Sequence, residues 1–395
     1  MYVTRPLSMY RKFPSTLSIQ PPDAPYSGYL VITDEEAEAQ DTFCWGLCKR
    51  KKVKKLPFPQ DRILTIVYSS EYGETTATKV LFIPVLDKPL SSNRYYVIRA
   101  RGKYKGKAYK CSREEDVMAC CFNEMLTDRK PKPFNLKDLY QQVKIHSHQS
   151  GGFFAKSIAP NGIPPKVLRR KGWKVRSSSL YRIRLSEALG LDTSLRALVP
   201  DFNFPIFRKR SASVIVGKWY CPFIFVREKG RLKHQMKKSM FYSMTLEQKW
   251  EEIYSCVNIV DEENDVVIVN ANVQREVILV AGKEAMNDDR NSHNNNGFIW
   301  FKVGNQNGRR RVVGVGLNSA IVENVKWVQE EGGWVNNGTE REVRVERVEQ
   351  IRSENGWQRF GCYVLVESFV LRRMDGSMVL KWDFRHTDKI QCKWE

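Results

Sequence analysis

Apolar and polar positions alternate most clearly at the end of the chain, from Cys362 to Glu395 (CYVLVESFVLRRMDGSMVLKWDFRHTDKIQCKWE). Two aromatic and β-branched runs flank Asp375-Gly376, a dipeptide suited to a tight two-residue turn with positive φ at both central positions. That loop pairs Leu371 with Leu380, Phe369 with Trp382 and Leu365 with His386. The register puts Tyr363, Leu365, Phe369, Leu371, Leu380, Trp382 and Phe384 on one face, and Lys381, Asp383 and Arg385 on the other.

Upstream, the Pro- and Ser-bearing stretch 1–26 reads as an extended arm, followed by a first strand, Gly28–Thr33. Strands are expected at Ile63–Tyr68, Val80–Leu86 and Arg94–Ala100, with Gly102 to Gly106 as a turn. Helical signals follow. Ser112-Arg-Glu-Glu115 matches a capping box and opens a helix through Val117, Met118, Cys121, Phe122 and Met125. Asn135 caps a second helix, Leu136–Ile145; Pro164-Pro165 starts a short basic one that stops at Gly172; Ser186–Leu191 adds a further turn. From Ser211 the strand pattern returns: Val214–Arg227 interrupted at Pro222, then Val266–Ala281, Phe298–Val303, Val312–Leu317, Ile321–Gln329 and Glu342–Gln350. One prominent helix interrupts it, opened by the capping box Thr245-Leu-Glu-Gln248 and running through Trp250, Ile253 and Tyr254. The expected fold is α+β, dominated by antiparallel β. It has an N-terminal arm and β-rich sheet region (1–112), a basic helical and loop middle packed on it (113–210), and a C-terminal β-sandwich-like half with one prominent helix (211–395).

Composition narrows the class. With 42% hydrophobic residues and 10 Trp among 395, the chain has the material for one large core or two ordinary ones. No run of eighteen apolar residues predicts a membrane span, and Met1–Ile19 lacks the apolar core of a secretory signal. Nine cysteines at irregular spacing point to a reducing compartment, cytoplasmic or nuclear, and Asn337-Gly338-Thr339 then reads as a turn rather than a glycosylation site. The net charge of +21 is uneven: residues 131–250 hold 24 Lys/Arg against 6 Asp/Glu, whereas residues 251–395 hold 19 against 23. A localised positive field attracts an anionic surface, membrane lipid or nucleic acid, or an acidic protein.

Catalytic and metal chemistry finds little to stand on. Cys44-x3-Cys48 lacks the second ligand pair that structural zinc needs. His146 and His148 in a Ser/Gln/Gly loop, with Cys121, sketch a nucleophilic constellation that nothing in the sequence positions. Gly102-x3-Gly106 and Gly314-x-Gly316 read as turn or bulge glycines, and Glu114, Glu115 and Asp116 as favourable charges in a first helical turn. No catalytic residue, cofactor site or metal site is assigned. The candidate anion-binding residues are Lys49, Arg50, Lys51 and Lys52 in a run extending to Lys55, then Arg169, Arg170 and Lys171, and Arg208, Lys209 and Arg210; further basic runs lie at Arg231–Lys238 and Arg309–Arg311. Trp173, Tyr181, Phe207 and Trp219 near them are the aromatics a single-strand groove would use for stacking.

Several stretches resemble a known family. They are Leu81-Phe-Ile-Pro-Val-Leu-Asp87, Pro89-Leu-Ser-Ser-Asn-Arg-Tyr-Tyr96, Ser112-Arg-Glu-Glu-Asp116 with Cys120-Cys121-Phe122, Leu168-Arg-Arg-Lys-Gly-Trp173, Gly217-Lys-Trp-Tyr220, Thr245-Leu-Glu-Gln248, and Met374-Asp-Gly-Ser377 with Asp383-Phe-Arg-His386. Together, and along nearly the whole chain, they resemble the plant domain-of-unknown-function family 1262, from which Asn324-Val-Lys-Trp327 and Ser368 depart. The resemblance implies a plant origin and carries no activity or site residues. The expected function is therefore non-enzymatic binding or scaffolding, in a stress or defence setting, by a soluble protein whose basic middle meets an anionic surface. A nucleic-acid binder is the alternative, with a cysteine/histidine hydrolase behind it.

Overall fold

The structure, a computed structural model, describes residues 1–43, 48–49, 51–70, 73–120, 123–258, 266–287, 297–304, 313–335, 341–351 and 356–395. It is mostly β, built around two extensive sheets, one of twelve strands and one of seven. The expected β dominance holds, but, apart from one short basic helix, the helices lie elsewhere.

The terminal hairpin forms the middle of the large sheet. Arg359–Arg373 pairs with Met378–Trp394, and the expected partners Leu371–Leu380, Phe369–Trp382 and Leu365–His386 are the observed ones. The turn differs from the expected form. Gly376 has a φ of 83°, while Asp375 is not among the positive-φ residues, and the register shifts between Leu371 and Arg372. Arg373 N–H donates to the Ser377 carbonyl and Gly376 N–H to that of Arg373, both at 2.9 Å. One left-handed glycine and a bulge thus make the reversal.

On the other edge of Arg359–Arg373 lies the 17-residue strand Phe241–Val257, where a helix was expected from Thr245. The capping-box motif is overruled because this segment bonds to a long strand on each side, Val214–Pro222 and Arg359–Arg373. The opposite correction applies to Ile321–Gln329. That expected strand belongs to the helix Ser319–Glu331, capped by the Asn318 side chain on Ala320 N–H, with Ile321, Val325 and Val328 buried at helical spacing.

Residues 1–26 are not an extended arm. Tyr2–Pro6 pairs in parallel with Gly28–Ile32 and antiparallel with Val214–Pro222, and the helix Leu7–Lys12 follows.

The basic middle also departs from expectation. In place of a helix after Ser112, Val117–Cys120 and Asn123–Leu126 form an antiparallel pair. Asp116 explains the start: its carboxylate accepts from Arg129 Nε at 2.6 Å and Arg113 N–H at 2.7 Å, which close a tight turn and hold the acid down at about 2. Leu136–Ile145 is a turn, a short 3-10 segment at Leu139–Gln141 and then the strand Gln142–Ser147. Ser186–Leu191 contributes a short β pairing at Gly190–Leu191, with the helical turn displaced to Thr193–Leu198. The short basic helix is observed at Lys166–Arg169.

Strands from this middle complete the seven-stranded sheet, where Gln142–Ser147, Phe153–Ser157 and Lys174–Arg182 join Arg62–Ser69, Thr75–Pro84, Arg94–Arg99 and the edge strand Lys52–Val53. Both faces are buried. Leu64, Phe82, Tyr95 and Val97 pack with Phe58, Phe153 and Trp173, while Leu81, Ile83, Tyr96 and Ile98 join the main core with Tyr2, Phe225 and Phe241. Successive strand residues therefore serve different cores, as the period of two requires.

Inside the large sheet lies a buried carboxylate, Glu367. It accepts from Arg196 Nε, Gln248 Nε2 and Gln329 Nε2, each at 2.8 Å, with His386 Nε2 at 3.4 Å. Arg196 Nη1 also donates to the Val328 carbonyl at 2.8 Å. Burial alone would raise this acid, but His386 and Arg196 outweigh it and hold the group far below the usual carboxylate range. A depressed folded-state pKa gives stability that is present above the unfolded value near pH 4.3 and lost as pH falls below it. Glu367→Gln leaves the Arg196 charge buried without its counterion and is expected to lower unfolding stability by about 3–5 kcal/mol, read from urea titration at pH 7. The difference between variant and native chain should shrink as the titration is repeated from pH 5 towards pH 3.

Candidate functional site: a cation-rimmed cleft

A cavity lies between the N-terminal helix and the edge of the seven-stranded sheet. Leu7 and Tyr10 come from Leu7–Lys12, whose buried side packs into the main core; Pro14 and Leu17 come from the following 3-10 turn. The facing wall is Lys51–Pro57. Its strand Lys52–Val53 pairs through Val53–Val175 and Lys52–Arg176 at the end of the sheet, and Ser177 N–H donates to the Lys51 carbonyl at 2.7 Å.

Two anchors fix this wall. Phe58 is fully buried, with its ring 4.6 Å from that of Phe82 and 5.0 Å from that of Phe153. Gln60 ties the segment to the large sheet: its Oε1 accepts Val31 N–H at 2.7 Å, and its own N–H donates to the Val31 carbonyl at 2.8 Å. The cleft is therefore built where the two sheets are stitched together.

Its volume is about 870 Å³, within the range of small-molecule sites. Leu7, Tyr10, Leu17, Val53 and Leu56 supply apolar surface, while Arg11, Lys51, Lys52, Lys54, Lys55, Arg62 and Arg176 supply positive charge. The one carboxylate in the lining, Asp41, is taken by Arg11 Nη2 at 2.8 Å. Arg62 is held by Asp61 at 3.0 Å. Lys51, Lys52, Lys54, Lys55 and Arg176 have no ion-pair partner among the described residues, and all five are exposed. Lysines on an edge strand have a simpler role in blocking edge-to-edge pairing. That role accounts for Lys52, but not for the apolar floor beside it.

The structure does not gather the sequence-predicted cations into one surface. Lys51 and Lys52 line the cleft; Lys49 lies on a short strand with no described side chain, and Arg50 lies outside the described residues. Arg169 sits 3.7 Å from Asp128, Arg170 stacks over Tyr68 at 4.6 Å, and Lys171 is exposed. Arg208–Arg210 belongs to another region: Tyr363 Oη donates to the carbonyls of Ile206 and Arg208, and Arg210 pairs with Glu251 at 3.2 Å. Glu251 is already served by Arg385 at 2.7 Å and Lys249 at 2.9 Å. Burial would raise this acid, but those two partners hold it down at about 2. Arg309–Arg311 lies outside the described residues.

Nor do the stacking aromatics form a platform. Trp173 and Trp219 are 0% and 5% exposed, committed to cores; Phe207 alone is open, at 67%, and nothing is described of the Tyr181 side chain. Cys44, Cys121 and Asn337–Thr339 also lie outside the described residues. His146 is on a strand rather than in a loop, stacked on Phe154 at 5.0 Å, and burial followed by Lys144 and Lys156 lowers its pKa. Among the described residues no three His, Cys, Asp or Glu side chains converge as metal ligands, and no helix is long and apolar enough to cross a membrane.

Sequence reasoning missed the cleft's other wall. Leu7, Tyr10 and Arg11 show i, i+3, i+4 spacing, a helical signal obscured by the flanking Pro6 and Pro14.

Comparison with known proteins adds a family likeness and little more. The model of a protein of unknown function (DUF1262) matches residues 23–122. The matched part contains the Lys51–Pro57 wall but not the N-terminal helix, and it is far shorter than the span of the motifs quoted above. No curated protein matches the chain. Among solved structures, the crystal structure of Cry35Ab1 is similar at 10% identity, covering 85% of this chain and 90% of that one, with a TM-score of 0.43. A likeness that remote carries no argument about this chain.

Because Glu251 keeps two cations without it, Arg210→Ala is expected to cost less than about 1 kcal/mol in urea titration, as for other exposed ion pairs.

Proposed function

We propose that this is a non-enzymatic protein that binds anionic amphiphiles, and through them anionic membrane surfaces, at the cleft between Leu7–Ser18 and Lys51–Pro57. One observation carries the reading: an apolar floor of about 870 Å³ sits beneath five exposed cations that have no acidic partner among the described residues. An acyl chain would rest on Leu7, Tyr10, Leu17 and Leu56 while a phosphate-bearing headgroup met Lys51, Lys52, Lys54 and Lys55. Each cation near an anionic surface contributes about 1 kcal/mol, so binding should be steeply salt-dependent. The proposal keeps the anionic surface expected from the charge and moves its centre from the basic middle to the junction of the two sheets. Nucleic acid is the less favoured partner, because Trp173 and Trp219 are buried and cannot stack on bases. The plant origin and the stress or defence setting come from the family resemblance alone and do not bear on this choice.

The test is co-sedimentation with phosphatidylserine-containing and pure phosphatidylcholine vesicles over a salt titration, with single-stranded RNA as competitor. Binding to the anionic vesicles only is expected, weakened at least tenfold in a Lys51/Lys52/Lys54/Lys55→Ser variant and little changed when Arg208, Lys209 and Arg210 are replaced. Equal binding by the quadruple variant would remove the cleft from the account. Displacement by RNA with a steep salt slope would favour nucleic acid.

A further inference from the structure

The open end of the terminal hairpin brings two cysteines face to face. Cys362 and Cys392 are direct cross-strand partners, so their side chains leave the sheet on the same side. Directly opposed residues in an antiparallel pair have Cα atoms about 4.5–5.5 Å apart, inside the range a disulfide accepts. Both are free thiols, and each is hydrogen-bonded to the other. Around them Trp394 packs 4.5 Å from Phe360 and 5.1 Å from Trp357, which fixes the backbone on both strands. Cys362 is fully buried, while Cys392 is partly open to solvent.

From this geometry we propose that Cys362 and Cys392 form a thiol–disulfide exchange site, which closes to an intramolecular disulfide on reaction with a low-molecular-weight disulfide. The exposed partner reacts first. Cys392 Sγ, as thiolate, attacks one sulfur of the small disulfide, forming a mixed disulfide and releasing one thiolate. Cys362 Sγ then attacks Cys392 Sγ, forming the Cys362–Cys392 bond and expelling the second thiolate. The two protein thiols lose two electrons and two protons, and the small disulfide leaves as two thiols. While both thiols are free, the hydrogen bond from Cys392 lowers the Cys362 thiol; the same bond, with burial, raises that of Cys392, so the first step quickens as pH rises.

The other cysteines whose side chains are described do not share this arrangement. Cys111 and Cys221 are buried, with thiols pushed up by burial to about 11 and about 12. Cys256 hydrogen-bonds Tyr254 and stands opposite Phe360. It lies in the same apolar cluster and is the competitor that a test must separate.

The experiment incubates the full chain in glutathione buffers of rising oxidised fraction, alkylates the remaining thiols and maps the peptides by mass. The expected result is a linked Cys362–Cys392 peptide, 2 Da lighter than its reduced components, absent in Cys392→Ser and retained in Cys256→Ser. The thermal midpoint should rise by about 5 °C on oxidation and return with dithiothreitol, since the bond closes a ring around the hairpin turn. Three outcomes overturn the proposal: both cysteines alkylated at every ratio, Cys392 halted as a glutathione adduct, or a link from Cys392 to Cys256.

Discussion

A single buried carboxylate sets the terms on which the large sheet can close. Glu367 stands at the centre of strand Arg359–Arg373 and is satisfied only when three other segments arrive together: Arg196 from a short helix, Gln248 from the neighbouring long strand and Gln329 from the last turns of Ser319–Glu331. Any alternative register of the long strands would leave an uncompensated charge among Phe369, Leu371 and Trp382. That penalty specifies position where apolar contacts alone would tolerate a slip of two residues. Gly332 fits the same constraint, since a Cβ there would lie 2.4 Å from the Arg196 guanidinium carbon.

The parts of the fold legible in the sequence were those where local chemistry and side-chain period agree. The terminal hairpin satisfies both, and its pairing was readable to the residue from Leu365 to Leu371; beyond that a second register shift, between Val364 and Leu365, sets Cys362 opposite Cys392. Phe298–Val303, an apolar run between Gly297 and Gly304, and the valine-bearing Glu342–Gln350 were also read as strands and are strands. Misreadings clustered where a local motif competed with a distant partner. Thr245–Gln248 has the composition of a capping box, but two long strands claim its backbone on either side. Ile321, Val322, Val325 and Val328 are β-branched, which argued for a strand until the packing of one face decided for a helix.

The cleft was half legible for a related reason. The run Lys49–Lys55 announces itself by charge, yet charge alone cannot say what it overhangs. Its apolar partners come from residues 7–17, brought alongside through Tyr2–Pro6 and the Gln60–Val31 hydrogen bonds, and no pattern within either stretch records that meeting. The same holds for Arg208–Arg210, which looks like part of a basic face in sequence but includes an arginine drawn to Glu251.

The placement of Tyr2–Pro6 bears on how the chain reaches this structure. Its sheet neighbours are Gly28–Ile32 and, through Tyr2 and Tyr220, a strand more than two hundred residues away. On a ribosome delivering residues from the N-terminus, that second edge has nothing to bond with until the segment around Tyr220 has emerged. The seven-stranded sheet draws only on residues 52–182, so it can assemble while the first strand still waits. A segment made well before its Tyr220 partner is therefore among the later ones to be locked in place. Until then, the Leu7–Lys12 wall of the cleft has no fixed strand behind it, and the cleft takes shape only in the closing stage of folding.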